Sequence, residues 1–203
     1  MREKIIKTAA QMYVQLGVRT VTMDDIAKEL GISKKTIYLH FRTKNALVRE
    51  ATLSLQESIF EEVEAIHSQN FNPIEELFEI KKFITARLRD EQYSVQYQLE
   101  KYYPDTSKLL YKTQINKIIE FLGRNISEGQ ERGIYREDLD PVFFARIYFA
   151  TNKSLTDPSL FPPAEYSPTF ISDSFLEYHI RGMATERGIK ILNELKENQQ
   201  NEQ

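Results

Sequence analysis

Cysteine is absent from the 203 residues, which excludes disulfides and thiolate metal sites at once. The three histidines, His40, His67 and His179, have no second histidine or carboxylate three or four residues further on, so no metal site is expected. His179, on an apolar helix face, reads as a core residue. Among the seven glycines there is no nucleophile elbow, phosphate loop or dinucleotide fingerprint. No catalytic machinery and no cofactor are therefore expected, and the chain does not read as an enzyme. Long hydrophobic runs are missing too. Val142 to Ala150 is the longest, at nine residues, and Arg146 interrupts it, far short of a bilayer span. Arg2, Glu3 and Lys4 precede a helical pattern and make no signal peptide. A cytoplasmic protein without a membrane partner is the expectation. No internal repeat is present.

Hydrophobic residues at 41% and charged ones at 28% fit an ordinary globular chain. The formal net charge of −3 conceals an asymmetry. Residues 1–50 hold ten Lys or Arg against five Asp or Glu, a net of +5, while residues 51–203 hold seventeen against twenty-five, a net of −8. A basic head on an acidic body directs the head alone at a polyanion.

Within that head, Thr22 to Phe41 reads as two short helices around a tight turn. Thr22 and Asp25 have the spacing of a capping pair. Ile26 and Leu30 form a buried stripe, and the small Ala27 lets another helix approach. Gly31 stands at the reversal, where positive φ is needed. Ser33 then caps a second helix that begins Lys34, Lys35, Thr36, with Ile37 turned inward. This is the skeleton of a helix-turn-helix, and a second helix opening with cations and hydrogen-bonding side chains suits a major groove. The alternative is a helical hairpin packed for stability alone; the clustering of polar residues on its outer face favours DNA. The set Thr22, Lys34, Lys35, Thr36, Tyr38, His40 and Lys44 is the candidate DNA-facing surface.

The run from Gly31 to Val48 resembles the signature of TetR-type (tetracycline-repressor-like) transcriptional regulators. In that family a Tyr-x-His-Phe-x-x-Lys string joins the recognition helix to a long connecting helix; here it is Tyr38, His40, Phe41 and Lys44. The resemblance covers about the first fifty residues, and beyond Val48 it is one of layout. It implies that Tyr38 contacts a phosphate, that Lys44 clamps one, and that Thr22 touches the DNA backbone as well as capping its helix. It also implies a ligand pocket among the body helices.

The rest of the chain reads as helices. Residues 2–16 carry Ile5, Ala9, Met12, Tyr13 and Leu16 at helical spacing, with Gly17 as the stop. A helix from about Lys44 to Gln69 has the stripe Leu47, Ala51, Leu55, Ile59, Val63, Ile66 and is the natural lever between head and body. Asn72-Pro73-x-Glu75 starts another, to about Asp90, with Ile74, Leu77, Phe78, Ile84 and Leu88 inward. Tyr93, Val95, Tyr97 and Leu99 alternate as a strand would, but a strand without a partner is implausible, so Tyr93–Tyr103 is expected to be a short helix ended by Pro104. Helices follow over about 105–132, from Asp140-Pro141 through Leu155, over 169–183, and over about 185–197. A proline-rich loop spans Thr156 to Pro168, and disorder is expected over the final NQQNEQ. In the helix over 169–183, Phe175 and Tyr178 lie on one face and Leu176, Ile180 and Met183 on another, as for a helix with two partners.

The fold expected is all-α: a three-helix helix-turn-helix head over 1–46, joined by a connecting helix to a larger body over 47–203 for ligand binding and dimerisation. One recognition helix reads only a few base pairs, so a homodimer on operator DNA is expected, built from the helices near 141–155 and 169–183. The body's aromatics are either core or the lining of a pocket; Phe83, Tyr97, Tyr103, Phe121, Phe144 and Tyr148 are the candidate ligand contacts, for an apolar, aromatic or cationic small organic molecule. The function that follows is a homodimeric transcriptional repressor released by that ligand. Two rivals stand beside it. One is a dimeric DNA binder with no ligand, favoured by too small a cavity. The other is a helical enzyme or adaptor with a vestigial head, favoured by absence of sequence-specific DNA binding.

Overall fold

Helix starts in this chain are written in hydroxyl, carboxylate and amide side chains. In the computed structural model, which describes residues 1–87 and 92–201, Thr22, Ser33, Thr43, Asp140 and Ser167 each accept a hydrogen bond from a first-turn amide of the helix they open. Asn72 Oδ1 does the same for Ile74 and Glu75. Ten helices result among the described residues: α1 (Arg2–Leu16), α2 (Met23–Glu29), α3 (Lys34–His40), α4 (Lys44–His67), α5 (Pro73–Arg87), α6 (Gln92–Tyr102), α7 (Pro104–Glu131), α8 (Pro141–Leu155), α9 (Pro168–Met183) and α10 (Glu186–Asn201). No strand occurs among them; Tyr135 and Ala184 form an isolated antiparallel bridge. The alternating segment around Val95 is helical, as expected. Leu88 and Asp90, at the expected end of α5, lie outside the described residues, as does the side chain of Tyr93. Disorder is expected over the final NQQNEQ, but α10 continues through Asn201; Glu202 and Gln203 lie outside the described residues. Glu and Gln are good helix formers, so a polar tail can extend a helix already nucleated by packing.

The chain packs as two units. The first comprises Met1–Ser68 and Lys81–Gln114. Its core closes over Ile5, Ala9 and Tyr13 of α1, Ile26 of α2, Ile37 of α3, and Leu47, Val48 and Ala51 of α4. Val95 and Leu99 of α6 belong to that same core, so the three-helix head is completed by a helix distant in sequence. Gly17 takes a positive φ of 85° at the end of α1, and a Cβ there would lie 2.7 Å from the Gln98 side chain.

The second unit comprises Gln69–Ile80 and Ile115–Gln203. Leu122 and Ile126 of α7, Ile74 and Leu77 of α5, and Leu176, Ile180 and Met183 of α9 are buried in it. Asn125 donates to Pro73 O at 2.9 Å and to Glu76 Oε2 at 2.6 Å, so a buried carboxylate has a partner. Gly129 is required: a Cβ would sit 2.1 Å from the Tyr135 ring. The apolar faces of α9 fall differently from the sequence reading. Phe175 is buried with Leu176 and Ile180, while Tyr178, from the face expected to include Phe175, turns outward. In α8 the one fully buried residue is Ala145, while Val142, Phe143 and Ile147 are exposed.

Candidate nucleic-acid interface

The turn between α2 and α3 is fixed from both sides. Thr22 Oγ1 accepts from Asp25 N at 3.2 Å, and Asp25 Oδ2 accepts from Thr22 N at 2.8 Å, a reciprocal capping box. These bonds hold the Asp25 carboxyl below the usual carboxylate range. Gly31 adopts a φ of 64°, and Ile32 N donates to Ala27 O at 3.0 Å, which reverses the chain. Ser33 Oγ accepts from Thr36 N at 3.1 Å and opens α3. Ile37 and Phe41 then anchor α3 in the core with almost no exposure.

Anchoring those two residues turns the rest of α3 outward. Lys34, Lys35, Tyr38 and His40 are exposed, and Thr36 is half-buried. The side chains differ in how free they are. Lys34 Nζ lies 2.7 Å from Asp24 Oδ2, an ion pair between α3 and α2 that raises the lysine's pKa. Thr36 Oγ1 is 2.9 Å from Ser33 Oγ. Tyr38 stands 43% exposed. Thr22, also exposed, uses its hydroxyl in the cap. Lys44 is half-buried at the start of α4, where its ammonium donates to Arg19 O at 3.0 Å. Burial holds the pKa of Lys44 below the usual lysine range, with Asp25 opposing the shift.

Three features of this surface escaped the sequence reading. Leu39 is 76% exposed beside Tyr38 and His40, an apolar residue on an otherwise polar face. Its signal was there: Ile37 and Phe41 supply the inward positions, so a leucine between them must point away. Asp24 engages Lys34 across ten residues. Arg19 is held three ways: its amide donates to Gln98 Oε1 at 2.8 Å, its guanidinium donates to Tyr102 Oη at 2.6 Å, and it lies 4.7 Å from the centre of that ring. The loop bearing the Lys44 partner is thus tied to α6.

Residues 5–51 match the family model for bacterial regulatory proteins of the tetR family. The similarity to that family is carried by these residues. One relative by sequence is the uncharacterised HTH-type transcriptional regulator YerO of Bacillus subtilis, 44% identical over 50 residues, which are 25% of this chain and 17% of YerO. The HTH-type transcriptional repressor KstR2 of Mycobacterium tuberculosis is 26% identical over 147 residues, covering 68% of this chain and 71% of the repressor. Among solved structures, a TetR-family transcriptional regulator from Agrobacterium tumefaciens superposes with a TM-score of 0.66 at 15% identity, over 91% of this chain and 97% of that one. That likeness shows a shared all-α fold along nearly the whole chain.

The six candidate ligand contacts fall in both units of the chain. Phe83, Tyr97 and Tyr103 belong to the first. Phe83 is half-buried with the Arg87 guanidinium 5.9 Å from its ring centre. Tyr97 is exposed and accepts from Lys101 Nζ at 3.2 Å. Tyr103 lines an open groove of about 270 Å³ with Asn45, Arg49, Tyr102 and Asp105. Phe121, Phe144 and Tyr148 belong to the second. Phe121 is buried, with Arg124 5.6 Å from its ring centre. Phe144 meets Phe143 edge-on at 5.8 Å. Tyr148 packs 5.2 Å from Phe175 and 5.0 Å from His179. His179 is buried as expected, but its Nε2 has no hydrogen-bond partner among the described residues, and burial pushes its pKa down to about 4.

Proposed function

We propose that this TetR-family protein represses transcription as a homodimer on operator DNA and is released by a small organic ligand bound in its body. The observation that carries the reading is the outward face of α3: two lysines, a tyrosine and a histidine held clear of the core by Ile37 and Phe41. In this reading Lys34, Lys35 and Thr36 meet base edges, where lysine suits guanine acceptors and threonine suits either donors or acceptors. Tyr38, His40, Lys44 and Thr22 meet the sugar-phosphate backbone and fix the register. Residues 1–46 act as the DNA-binding domain, residues 47–203 serve ligand and partner, and the protein works in the cytoplasm.

The exposed Val142, Phe143 and Ile147 of α8, with Phe170 and Tyr178 of α9, support dimerisation through those helices, since apolar side chains of this size gain by pairing with a second copy. The packing of Val95 and Leu99 into the head core supports the switch. A ligand that favours one placement of α6 favours one placement of the head, and linkage makes operator affinity respond. Typical coupling of about 1–3 kcal/mol corresponds to a 5- to 150-fold loss of operator affinity. All six candidate contacts are aromatic, which supports an apolar, aromatic or cationic ligand. The test starts with duplexes recovered by the protein from a random-sequence pool. Lys44→Ala is expected to weaken recovered and shuffled duplexes alike and to lower the salt slope by about one unit. Lys35→Ala or Thr36→Ala is expected to change base preference. Uniform loss from the second pair, or altered preference from Lys44→Ala, reverses the roles assigned.

A further inference from the structure

Two acids open α2, and the cap uses one of them. Asp25 closes the capping box with Thr22. Asp24 instead gives its Oδ2 to Lys34 Nζ at 2.7 Å, with both side chains at least half exposed. An exposed pair of this kind contributes little to folding, because water screens it and two side chains lose rotamer freedom. Its consequence lies at the DNA-facing surface, where Lys34 is the first residue of α3.

A free lysine there would carry a compact, strongly hydrated charge on a flexible four-carbon stem. It would pair with whichever phosphate came within reach, and such contacts strengthen binding to every sequence alike. Bound to Asp24, the ammonium is neutralised as a point charge and keeps two protons for donation. A guanine edge, with acceptors at O6 and N7, can use those protons from one position. We propose that Asp24 is a positioning residue for base recognition: it withholds the Lys34 charge from phosphates at random sequences and reserves it for one base pair of the operator. This deepens, and rests on, the DNA-binding reading of α3.

The magnitude follows from counterion release. A slope of about −0.9 per phosphate makes one added phosphate contact worth roughly fivefold near 0.15 M salt. The experiment measures fluorescence anisotropy over a salt series with the full-length protein. The probes are a duplex recovered by the wild type from a random pool and the same duplex shuffled. With Asp24→Asn, the shuffled duplex is expected to bind about fivefold tighter with a slope steeper by about one unit, while the recovered duplex gains little, so the ratio between them falls. Asp24→Glu, which keeps the carboxylate, should restore the ratio. On a Lys34→Ala background, Asp24→Asn should leave the ratio unchanged, since there is no ammonium left to hold. A ratio unaltered by Asp24→Asn in a wild type that discriminates would overturn the role of Asp24 and leave DNA binding intact. An equal fall on the Lys34→Ala background would also overturn it, because Asp24 would then act without Lys34. A wild type that recovers no duplex would overturn both readings. Melting temperatures of all variants should agree with the wild type, as expected of an exposed pair.

Discussion

The two units finish their hydrophobic surfaces differently. In the first, Ile5, Ala9, Ile26, Ile37, Leu47, Val48 and Ala51 have essentially no exposure left, and α6 closes the remaining side with Val95 and Leu99. In the second, α8 buries only Ala145 completely, while Phe143 is 58% and Tyr178 77% exposed. The head buries most of its apolar residues within its own chain, and the face of α3 it turns outward is polar apart from Leu39. The α8 and α9 helices hold large apolar side chains in reserve. Under the proposed function, the contrast would let one chain present two recognition surfaces of opposite character, one for a polyanion and one for a second copy of itself.

Substitutions can break this contrast from either side. The largest effect is expected inside the head core. Leu47→Ala removes a fully buried side chain and should cost about 2–5 kcal/mol, with a lowered melting temperature and loss of DNA binding through unfolding. A loss much under 1 kcal/mol would mean that the site is less closely packed than its burial implies.

The second effect is on the buried side of α9. The pKa of His179 is depressed to about 4, so between that value and its ordinary 6.5 the unfolded chain binds a proton that the folded chain does not. Stability contributed by the neutral imidazole is full above the unfolded value and is lost as pH falls towards about 4. Across that window the change is about 3 kcal/mol. His179→Phe should flatten the pH dependence of the melting temperature there; an unchanged profile would move the titration to other groups.

On the exposed side of the same helices, Phe143→Asp with Tyr178→Asp should leave the fold of one chain intact and disrupt association by at least about 2 kcal/mol, in the range of interface hot spots. Sedimentation would show monomers, and operator affinity would fall with them. A monomeric wild type at micromolar concentration would remove the dimer from the account. The smallest effect is local. Thr22→Ala removes the α2 cap and should cost about 1 kcal/mol, read by chemical denaturation.

What the sequence disclosed and what it did not divide along range. The caps at Thr22, Ser33 and Asp140, the reversal at Gly31 and the inward stripe of α4 depend on residues three to seven apart, and periodicity exposes them. The polar face of α3 followed from placing Ile37 inward. The Arg19–Tyr102 contact joins residues 83 apart, and no local pattern announces it. The segment of α6 alternates as a strand would, and nothing local announces that Val95 and Leu99 pack into the head core. In α8 apolar residues mark a face to be covered, yet periodicity cannot say whether the partner lies in the same chain. The pairing of Lys34 with Asp24 was hidden for a related reason: each had a sufficient local role, as a groove-facing cation and as a first-turn acid. The candidate aromatics were legible as a composition and not as a place, since a pocket depends on how several helices meet.

The central claim is that α3, presented twice, reads two half-sites. Footprinting on a duplex recovered from a random pool, combined with sedimentation of the complex, tests it most directly. The account predicts two chains per duplex and two protected segments on one face, their centres roughly 34 Å apart or a multiple of it. It also predicts that Lys34→Ala alters the sequence recovered in both half-sites alike. A single protected segment occupied by one chain, or recovered sequences indifferent to every substitution on α3, would contradict it.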